Sequence, residues 1–304
     1  MDVDYEPPSS PPKPRRPVIS VFDWDDTVCP SSWLHREGLL AAYKLVDGPV
    51  EPQDSSFGGQ ASESSPHEMS PGHRLALHQF EEHVIALLQY ARQFGPVFIV
   101  TAAKLQWVRS CAEYFLPRVL QTLIKSETVH VISAREFYLG RKQRSAAPLG
   151  PGDEGTPLAW KATTFNAICT HLRVDEVAQR RAQSSPSRSS RVNFISVGDS
   201  FSERDACRML ELSAPSVMRS KTVKYLEQPH VLELMDQVRM TRVIYEQICR
   251  HAGGLDLHMV RSRGSIQVLQ VDTPGQAPST ARSNPSPRRH SVATGGPIGA
   301  RTPL

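Results

Sequence analysis

Short apolar runs alternate along the chain with longer amphipathic stretches. Four of the runs are rich in β-branched residues and have the length of buried strands. They are Val18–Phe22, Val97–Val100, Val129–Ile132 and Val192–Val197. Apolar residues recur at helical spacing in Phe80–Ala91, Leu105–Phe115, Phe165–Leu172 and Leu234–Ile248. Strands that alternate with helices predict parallel strands joined by right-handed crossovers, so we predict an α/β fold, a Rossmann-like parallel sheet with helices on both faces.

Segments rich in Pro, Gly, Ser and Arg interrupt this pattern. Their composition is typical of disorder, because it offers too little apolar surface to form a core. We predict disorder in residues 1–17, in a tail over 261–304, and in insertions at about 48–72, 140–157 and 180–191. One folded domain is therefore expected over residues 18–260. The tail contains a single short apolar stretch, Ile266–Val271.

The 304 residues carry 35 Lys+Arg and 31 Asp+Glu, a net charge of +4. The excess lies in the tail, which has six Arg and only Asp272 as an acid. The predicted domain is thus close to neutral, which argues against a nucleic-acid groove. We expect the tail to bind anionic partners or a kinase, since Arg288-Arg289-His290-Ser291 is similar to a basophilic kinase site.

The apolar runs, the N-terminus and the cysteines of the sequence all bear on where in the cell the protein is expected. The sequence contains no run of about 18 apolar residues, so no membrane span is predicted. The N-terminus lacks the apolar core of a secretory signal. The five cysteines are scattered, which indicates reduced thiols and neither a disulfide framework nor a zinc site. We therefore expect an intracellular protein, cytoplasmic or nuclear.

Polar residues follow the predicted strands where each strand ends. Asp23 and Asp25 follow the first strand, Thr101 ends the second, and Asp199 follows the fourth. Lys161 opens the helix that precedes the fourth strand. Because parallel strands end at one edge of a sheet, where such folds bind ligands, we expect these side chains to converge.

These residue types suit phosphoryl transfer. Asp23 can attack phosphorus and form an aspartyl-phosphate. Asp25 can protonate the leaving oxygen and then accept a proton from the hydrolytic water. Asp23 and Asp199 offer the oxygen ligands that Mg²⁺ prefers. Thr101 and Lys161 can contact the phosphoryl oxygens, over which charge spreads in the transition state.

The same motifs, in this order, resemble those of the haloacid dehalogenase (HAD) superfamily of phosphohydrolases. VISVFDWDDT matches an apolar strand followed by DxDx[T/V], and VFIVT matches a strand ending in Thr. Lys161 matches the family's lysine. ISVGDSFSE matches GDxxxD, with Glu203 in place of the last Asp. The resemblance covers about Val18 to Ser220.

The resemblance implies a role for each matched residue. Asp23 would be the nucleophile and Asp25 the acid and base, as in the phosphatase-like branch of the family. The metal site would use Asp23, the Asp25 main-chain carbonyl and Asp199, with Glu203 as an outer carboxylate. The segment between Asp23 and Thr101 consists of a helix-like stretch, a disordered-looking loop and the Phe80–Ala91 helix, which leaves room for at most a small cap and implies an open HAD-like site.

Three functions remain compatible with the sequence. The first is a Mg²⁺-dependent phosphatase whose phosphomonoester substrate is of unknown class, small or macromolecular. The second is a catalytically weak HAD-fold regulatory or scaffold protein that recruits partners through its tails. The third is a phosphotransferase, which differs in the acceptor. The intact pair of Asp23 and Asp25 favours an enzyme.

Some of these residues also have a plain structural interpretation. Lys104 and Lys125 compete with Lys161 for the role of the family's lysine. Asp26 is interpreted as a turn or cap residue, which is the ordinary preference of Asp. Trp24 is interpreted as part of the core rather than as a platform for substrate.

Overall fold

The computed structural model describes residues 17–42, 69–144, 154–184, 191–262 and 264–271. The strands within these ranges are β1 (Val18–Phe22), β2 (Val97–Thr101), β3 (His130–Ser133), β4 (Val192–Gly198), β5 (Met218–Lys224), β6 (Leu255–Ser262) and β7 (Ser265–Gln270). The helices are α1 (Ser31–Arg36), α2 (Leu39–Ala42), α3 (Pro71–Arg92), α4 (Leu105–Phe115), α5 (Pro117–Val119), α6 (Ala134–Arg144), α7 (Pro157–His171), α8 (Val174–Ser184), α9 (Phe201–Ser213) and α10 (Val231–Arg250). A π-helical turn, Leu120–Ile124, continues α5.

The strands form one sheet in the order β3-β2-β1-β4-β5-β6-β7. The first six are parallel, and β7 runs antiparallel to β6. The chain builds the sheet outward from β1 to β3 and then crosses to the other side of β1 with β4. The switch point therefore lies between the carboxyl ends of β1 and β4, the place where such sheets bind ligands.

Helices cover both faces of this sheet. Val18 and Phe22 of β1 belong to an apolar cluster that includes residues of α3, α4 and α10. Ile19 and Val21 belong to a second cluster, with residues of α7 and α9. Successive residues of a strand point to opposite faces, so this alternation separates the two clusters. The predicted α/β fold is confirmed.

The predicted insertions at 140–157 and 180–191 are too wide. Helix α6 continues to Arg144, α7 begins at Pro157, and α8 continues to Ser184. Polar side chains one turn apart hold α6 and α8. The Lys142 ammonium lies 5.3 Å from the Tyr138 ring centre, and Arg180 lies 3.1 Å from Glu176. Such pairs stabilise a helix without the apolar stripe on which the prediction depended.

The predicted domain end at residue 260 is wrong. Strand β6 extends to Ser262, and the apolar stretch that was assigned to the tail forms β7. Ile266 and Val268 of β7 pack against the larger apolar cluster. The antiparallel pairing with β6 explains the order here, because it satisfies the backbone of a segment too short to fold by itself.

Strand β5 was not predicted, because its charged residues suggest an exposed segment. In the structure all seven of its residues are buried. Lys221 shows how the sheet accommodates them. Its ammonium donates to the carbonyl oxygens of Ile248, Cys249 and His251, around the C-terminal end of α10. A cation at that end of a helix also complements the helix dipole.

Other predictions fall outside the described residues. These are the disorder of residues 1–16, 48–68, 145–153, 185–190 and 272–304, and the kinase-like site at 288–291. All five cysteines are free thiols. Among the helices of the described ranges, none combines the length and apolarity needed to cross a membrane.

Candidate active site

Asp23 and Asp199 lie on either side of the switch point. The Asp23 main-chain N–H donates to the Val197 carbonyl at 2.9 Å, which extends the pairing of β1 with β4 past the end of β1. Asp199 follows Gly198, the last residue of β4. The Asp23 side chain is almost completely buried. Sheet pairing thus fixes both aspartates at the place where the sequence predicts a site.

Lys161 joins two carboxylates at this point. It lies one turn inside α7, whose start is capped by Thr156, and it is fully buried. Its Nζ is 2.7 Å from Asp23 Oδ1 and 2.5 Å from Glu203 Oε1. Lys104 and Lys125 are both exposed. Of the three lysines that the sequence left open, Lys161 is therefore the one that reaches the aspartates.

Glu203 is fixed by the start of α9. The Ser200 side chain accepts a hydrogen bond from the Ser202 N–H, and Glu203 Oε2 accepts from the Ser200 N–H at 3.1 Å, which forms a capping box. Gly198 permits this conformation, because a Cβ at that position would lie 2.6 Å from Glu203 Cγ. Both oxygens of Glu203 therefore have partners, Lys161 for Oε1 and Ser200 for Oε2.

The loop after β1 positions Asp25 and Asp26 differently. Asp25 Oδ1 accepts a hydrogen bond from the Trp107 indole N–H of α4 at 2.9 Å. Asp26 has a φ of 47°, and its Oδ1 accepts from the Ser32 N–H at 2.9 Å, which ties the loop to α1. The turn interpretation of Asp26 is confirmed. The contribution of Trp107 was missed, because a tryptophan in an amphipathic helix is ordinary core composition.

Thr101 and Trp24 take the positions expected of them. Thr101 ends β2, is fully buried and lies at the same sheet edge as Asp23. Its Oγ1 accepts a hydrogen bond from the Ala103 N–H at 3.0 Å, a contact within the loop that follows β2. Trp24 is fully buried in the larger apolar cluster, which confirms that it belongs to the core.

Burial and mutual repulsion shift the pKa values of these carboxyl groups. Burial raises the pKa of Asp23 to about 7; Lys161 opposes the rise, and Glu203 and Asp25 add to it. Burial raises the pKa of Asp25 to about 6 against the hydrogen bond from Trp107. Burial and the charge of Asp23 raise the pKa of Asp199 well above its usual value. The site therefore has more negative charge than its one lysine balances.

Glu203 and Lys161 form the compensated part of the site. Burial acts to raise the pKa of Glu203, but the charge and hydrogen bond of Lys161 outweigh it and leave the pKa lowered. Burial acts to lower the pKa of Lys161, and the charges of Asp23 and Glu203 outweigh that effect in turn. Both side chains are thus held in their charged forms.

The arrangement of donors suits a hard divalent cation. Asp23, Asp199 and Glu203 each offer a carboxylate oxygen, and these oxygens lie within 4.8 Å of one another. Mg²⁺ is bound in proteins by one or two carboxylates together with water and phosphate oxygens. Asp23 and Asp199 match that description best, since Glu203 already contacts Lys161 and Ser200 through its two oxygens.

Comparisons of the chain with protein-family models, with curated proteins and with solved structures gave no match. A functional proposal therefore depends on the fold, on the contacts of the site and on the motifs that carry them.

Proposed function

We propose that the protein is a Mg²⁺-dependent phosphatase of the HAD type, which hydrolyses a phosphomonoester through an aspartyl-phosphate. The observation that carries the proposal is the buried contact of Lys161 with both Asp23 and Glu203, beside Asp199. Phosphoryl transfer needs this combination, an anionic nucleophile together with cations that stabilise the charge of the transferred group.

Asp23 acts as the nucleophile in this proposal. Lys161 holds Oδ1 at 2.7 Å, which leaves Oδ2 to form the bond to phosphorus while the bond to the leaving oxygen breaks. The charge of Lys161 acts against the protonation of Asp23 that burial favours, and so increases the anionic fraction of the nucleophile. Glu203 keeps Lys161 in place from the other side. The hydroxyl of Thr101 donates to a phosphoryl oxygen.

Asp25 acts as general acid and then as general base. It gives its proton to the departing oxygen, and it later takes a proton from the water that cleaves the aspartyl-phosphate. Its pKa of about 6 suits both steps near neutral pH, because a group that exchanges protons works best when its pKa is close to the working pH. The Trp107 indole N–H orients its carboxylate.

Asp23, Asp199 and the Asp25 main-chain carbonyl would hold Mg²⁺, with Glu203 outside them. When bound, the ion would offset the repulsion between an anionic nucleophile and an anionic substrate. The surplus of negative charge at Asp23 and Asp199 supports this assignment.

Release of phosphate from p-nitrophenyl phosphate, with and without MgCl₂, tests the proposal in the full-length chain. Asp23→Asn should lower the Mg²⁺-dependent rate about a thousandfold or more, as loss of a nucleophile does. Asp236→Asn is a matched control, because Asp236 is exposed on α10. Equal rates for wild type and Asp23→Asn would refute the proposal, and equal background rates are what a catalytically weak scaffold predicts.

A further inference from the structure

An exposed aromatic ring adjoins the candidate active site. Phe201 is the first residue of α9, two positions after Asp199 and two before Glu203, and 51% of it is exposed. The buried side of α9 is formed by Glu203, Ala206, Cys207 and Leu210. Phe201 therefore contributes little to the core, although a phenyl ring is among the groups that gain most from burial.

The ring is nevertheless held in one place. The Lys224 ammonium lies 4.8 Å and the Arg204 guanidinium 5.6 Å from its centre, and the His258 ring packs against it edge to face at 6.1 Å. These neighbours are themselves fixed. Lys224 donates to Glu227, and Arg204 donates to both oxygens of Asp256. A ring that is already ordered loses little conformational entropy when a ligand covers it.

Phe201, Lys224 and His258 form a ledge that continues the edge of the active site. Gly198, Lys224 and His258 are aligned across β4, β5 and β6 in the sheet register. Strands in a sheet are about 4.8 Å apart, so β5 lies roughly 10 Å from β1, which carries Asp23. A substrate whose phosphoryl group lies at Asp23 must extend about that far to reach Lys224 of β5, against which the ring lies.

Charges at the rim of the ledge restrict the kind of substrate. The Asp205 and Glu227 side chains beside it are 44% and 62% exposed. The cations of the ledge already have carboxylate partners, Asp256 for Arg204 and Glu227 for Lys224. Because Asp205 and Glu227 are themselves paired with Arg204 and Lys224, a polyanion such as a nucleic acid would find these cations already neutralised, whereas a peptide does not depend on them.

We propose that this ledge binds the leaving group of a phosphorylated peptide that has an aromatic residue near the phosphorylated one. An extended chain rises about 3.3 Å per residue, so roughly three residues span the 10 Å between β1 and β5. The peptide's aromatic ring stacks on Phe201. This inference rests on the proposed phosphatase activity and names the substrate class for the same site.

Two short phosphoserine peptides, identical except for Phe or Ala three residues from the phosphoserine, test the ledge. The quantity measured is the ratio of kcat/KM for the Phe peptide to that for the Ala peptide. We expect a ratio of about ten in wild type, the size of one aromatic pair. Phe201→Ala should bring the ratio close to one, and Phe201→Tyr should preserve it. Leu212→Ala removes an exposed residue of the same helix and should leave the ratio unchanged.

A ratio that Phe201→Ala leaves unchanged would overturn the inference. Preference for a nucleoside monophosphate over both peptides, lost in Phe201→Ala, would reassign the ledge to nucleotides. Fluorescence anisotropy of the labelled peptides on Asp23→Asn measures the same preference without turnover. If wild type releases no phosphate from any compound, the proposed function fails, and the anisotropy ratio still decides whether Phe201 selects aromatic peptides.

Discussion

Two groups of buried charges each include a residue from the first turn of α9, Glu203 in one and Arg204 in the other, and they differ in how well their charges are paired. At the ends of β1 and β4, Asp23 and Glu203 share Lys161, and Asp199 lies beside them. At β5 and β6, a single carboxylate, Asp256, receives several donors. They are Arg204 at 2.6 Å, Arg208 at 3.4 Å and the Thr222 hydroxyl at 2.7 Å.

The pKa shift of Asp256 is opposite in sign to those of Asp23 and Asp199. Burial acts to raise the pKa of Asp256, but the hydrogen bonds from Arg204 and Thr222 leave it lowered. The pKa values of Asp23 and Asp199 are raised, with burial as the largest cause. Burial alone does not distinguish a structural carboxylate from a functional one. The number of donors that it receives does, because a chain gains no stability from keeping a carboxylate short of partners.

Of the substitutions that test this difference, replacement of Lys161 should cause the largest loss of stability. Lys161→Met leaves Asp23 and Glu203 buried without their cation, so the free energy of unfolding should fall by about 4 kcal/mol. Urea denaturation measures this, and the phosphatase assay should show loss of activity. Lys125→Met is the matched control, because Lys125 is exposed. A loss below about 1 kcal/mol would mean that the two carboxylates do not depend on Lys161.

Replacing Asp256, whose charge is balanced by Arg204 and Arg208, should destabilise the folded protein. Asp256→Asn removes the negative charge and one of the two acceptor oxygens that Arg204 and Arg208 contact, and we expect the free energy of unfolding to fall by about 3 kcal/mol. Asp236→Asn, on the surface of α10, should change it by less than about 0.5 kcal/mol. If the two variants unfold at the same urea concentration, the Arg204–Asp256 contacts contribute nothing to stability.

Much of the fold could be predicted from sequence because its central strands are apolar. Strands β1, β2 and β4 are buried on both faces, and their sequences are therefore short continuous apolar runs that are easy to recognise. Strands β5 and β6 were missed for the opposite reason. Lys221 and Asp256 have buried partners that are distant in sequence, and no local pattern reveals such pairs. Polar helices such as α8 were missed for another reason, because they lack the apolar stripe by which a helix is predicted from sequence.

The site was predictable as far as its residues follow strands. Asp23, Thr101 and Asp199 lie where parallel strands end, so strand prediction was enough to bring them together. The contacts of Lys161 with Asp23 and Glu203 depend on how α7 and α9 pack on the sheet. Trp107 and Phe201 gave no signal, since the role of an aromatic side chain depends on its neighbours in space.

The pH dependence of stability should separate the two groups. In Mg²⁺-free protein, the pKa of Asp23 is about 7 when folded and about 4 when unfolded, so protonation favours the folded state. Its contribution should therefore increase stability by about 2.5 kcal/mol as the pH falls from 8 to 5. The lowered pKa of Asp256 acts in the opposite direction, and its contribution is lost only below about pH 4.

Urea denaturation in EDTA at a series of pH values measures this difference. The full gain on acidification should be present in wild type and Asp256→Asn, and it should be smaller in Asp23→Asn by the contribution of this one carboxyl. Other groups titrate in the same range, so the comparison between variants isolates the contribution of Asp23. A wild-type pH profile retained in Asp23→Asn would show that this carboxyl is not the group that responds.

The smallest predicted change in stability concerns Asp199, which lies in the group with more carboxylates than cations, Asp23, Asp199, Glu203 and Lys161. Asp199→Asn keeps the shape of the side chain and removes a charge that burial and Asp23 disfavour. In Mg²⁺-free protein it should therefore raise the free energy of unfolding by about 1 kcal/mol, as replacing a strained functional residue often does. Millimolar MgCl₂ should stabilise wild type more than the variant, because binding to the folded state alone stabilises it. Thermal unfolding with and without MgCl₂ measures both effects. If Asp199→Asn destabilises the Mg²⁺-free protein as Asp256→Asn does, then Asp199 belongs with the balanced, structural charges, and the distinction between the two groups fails.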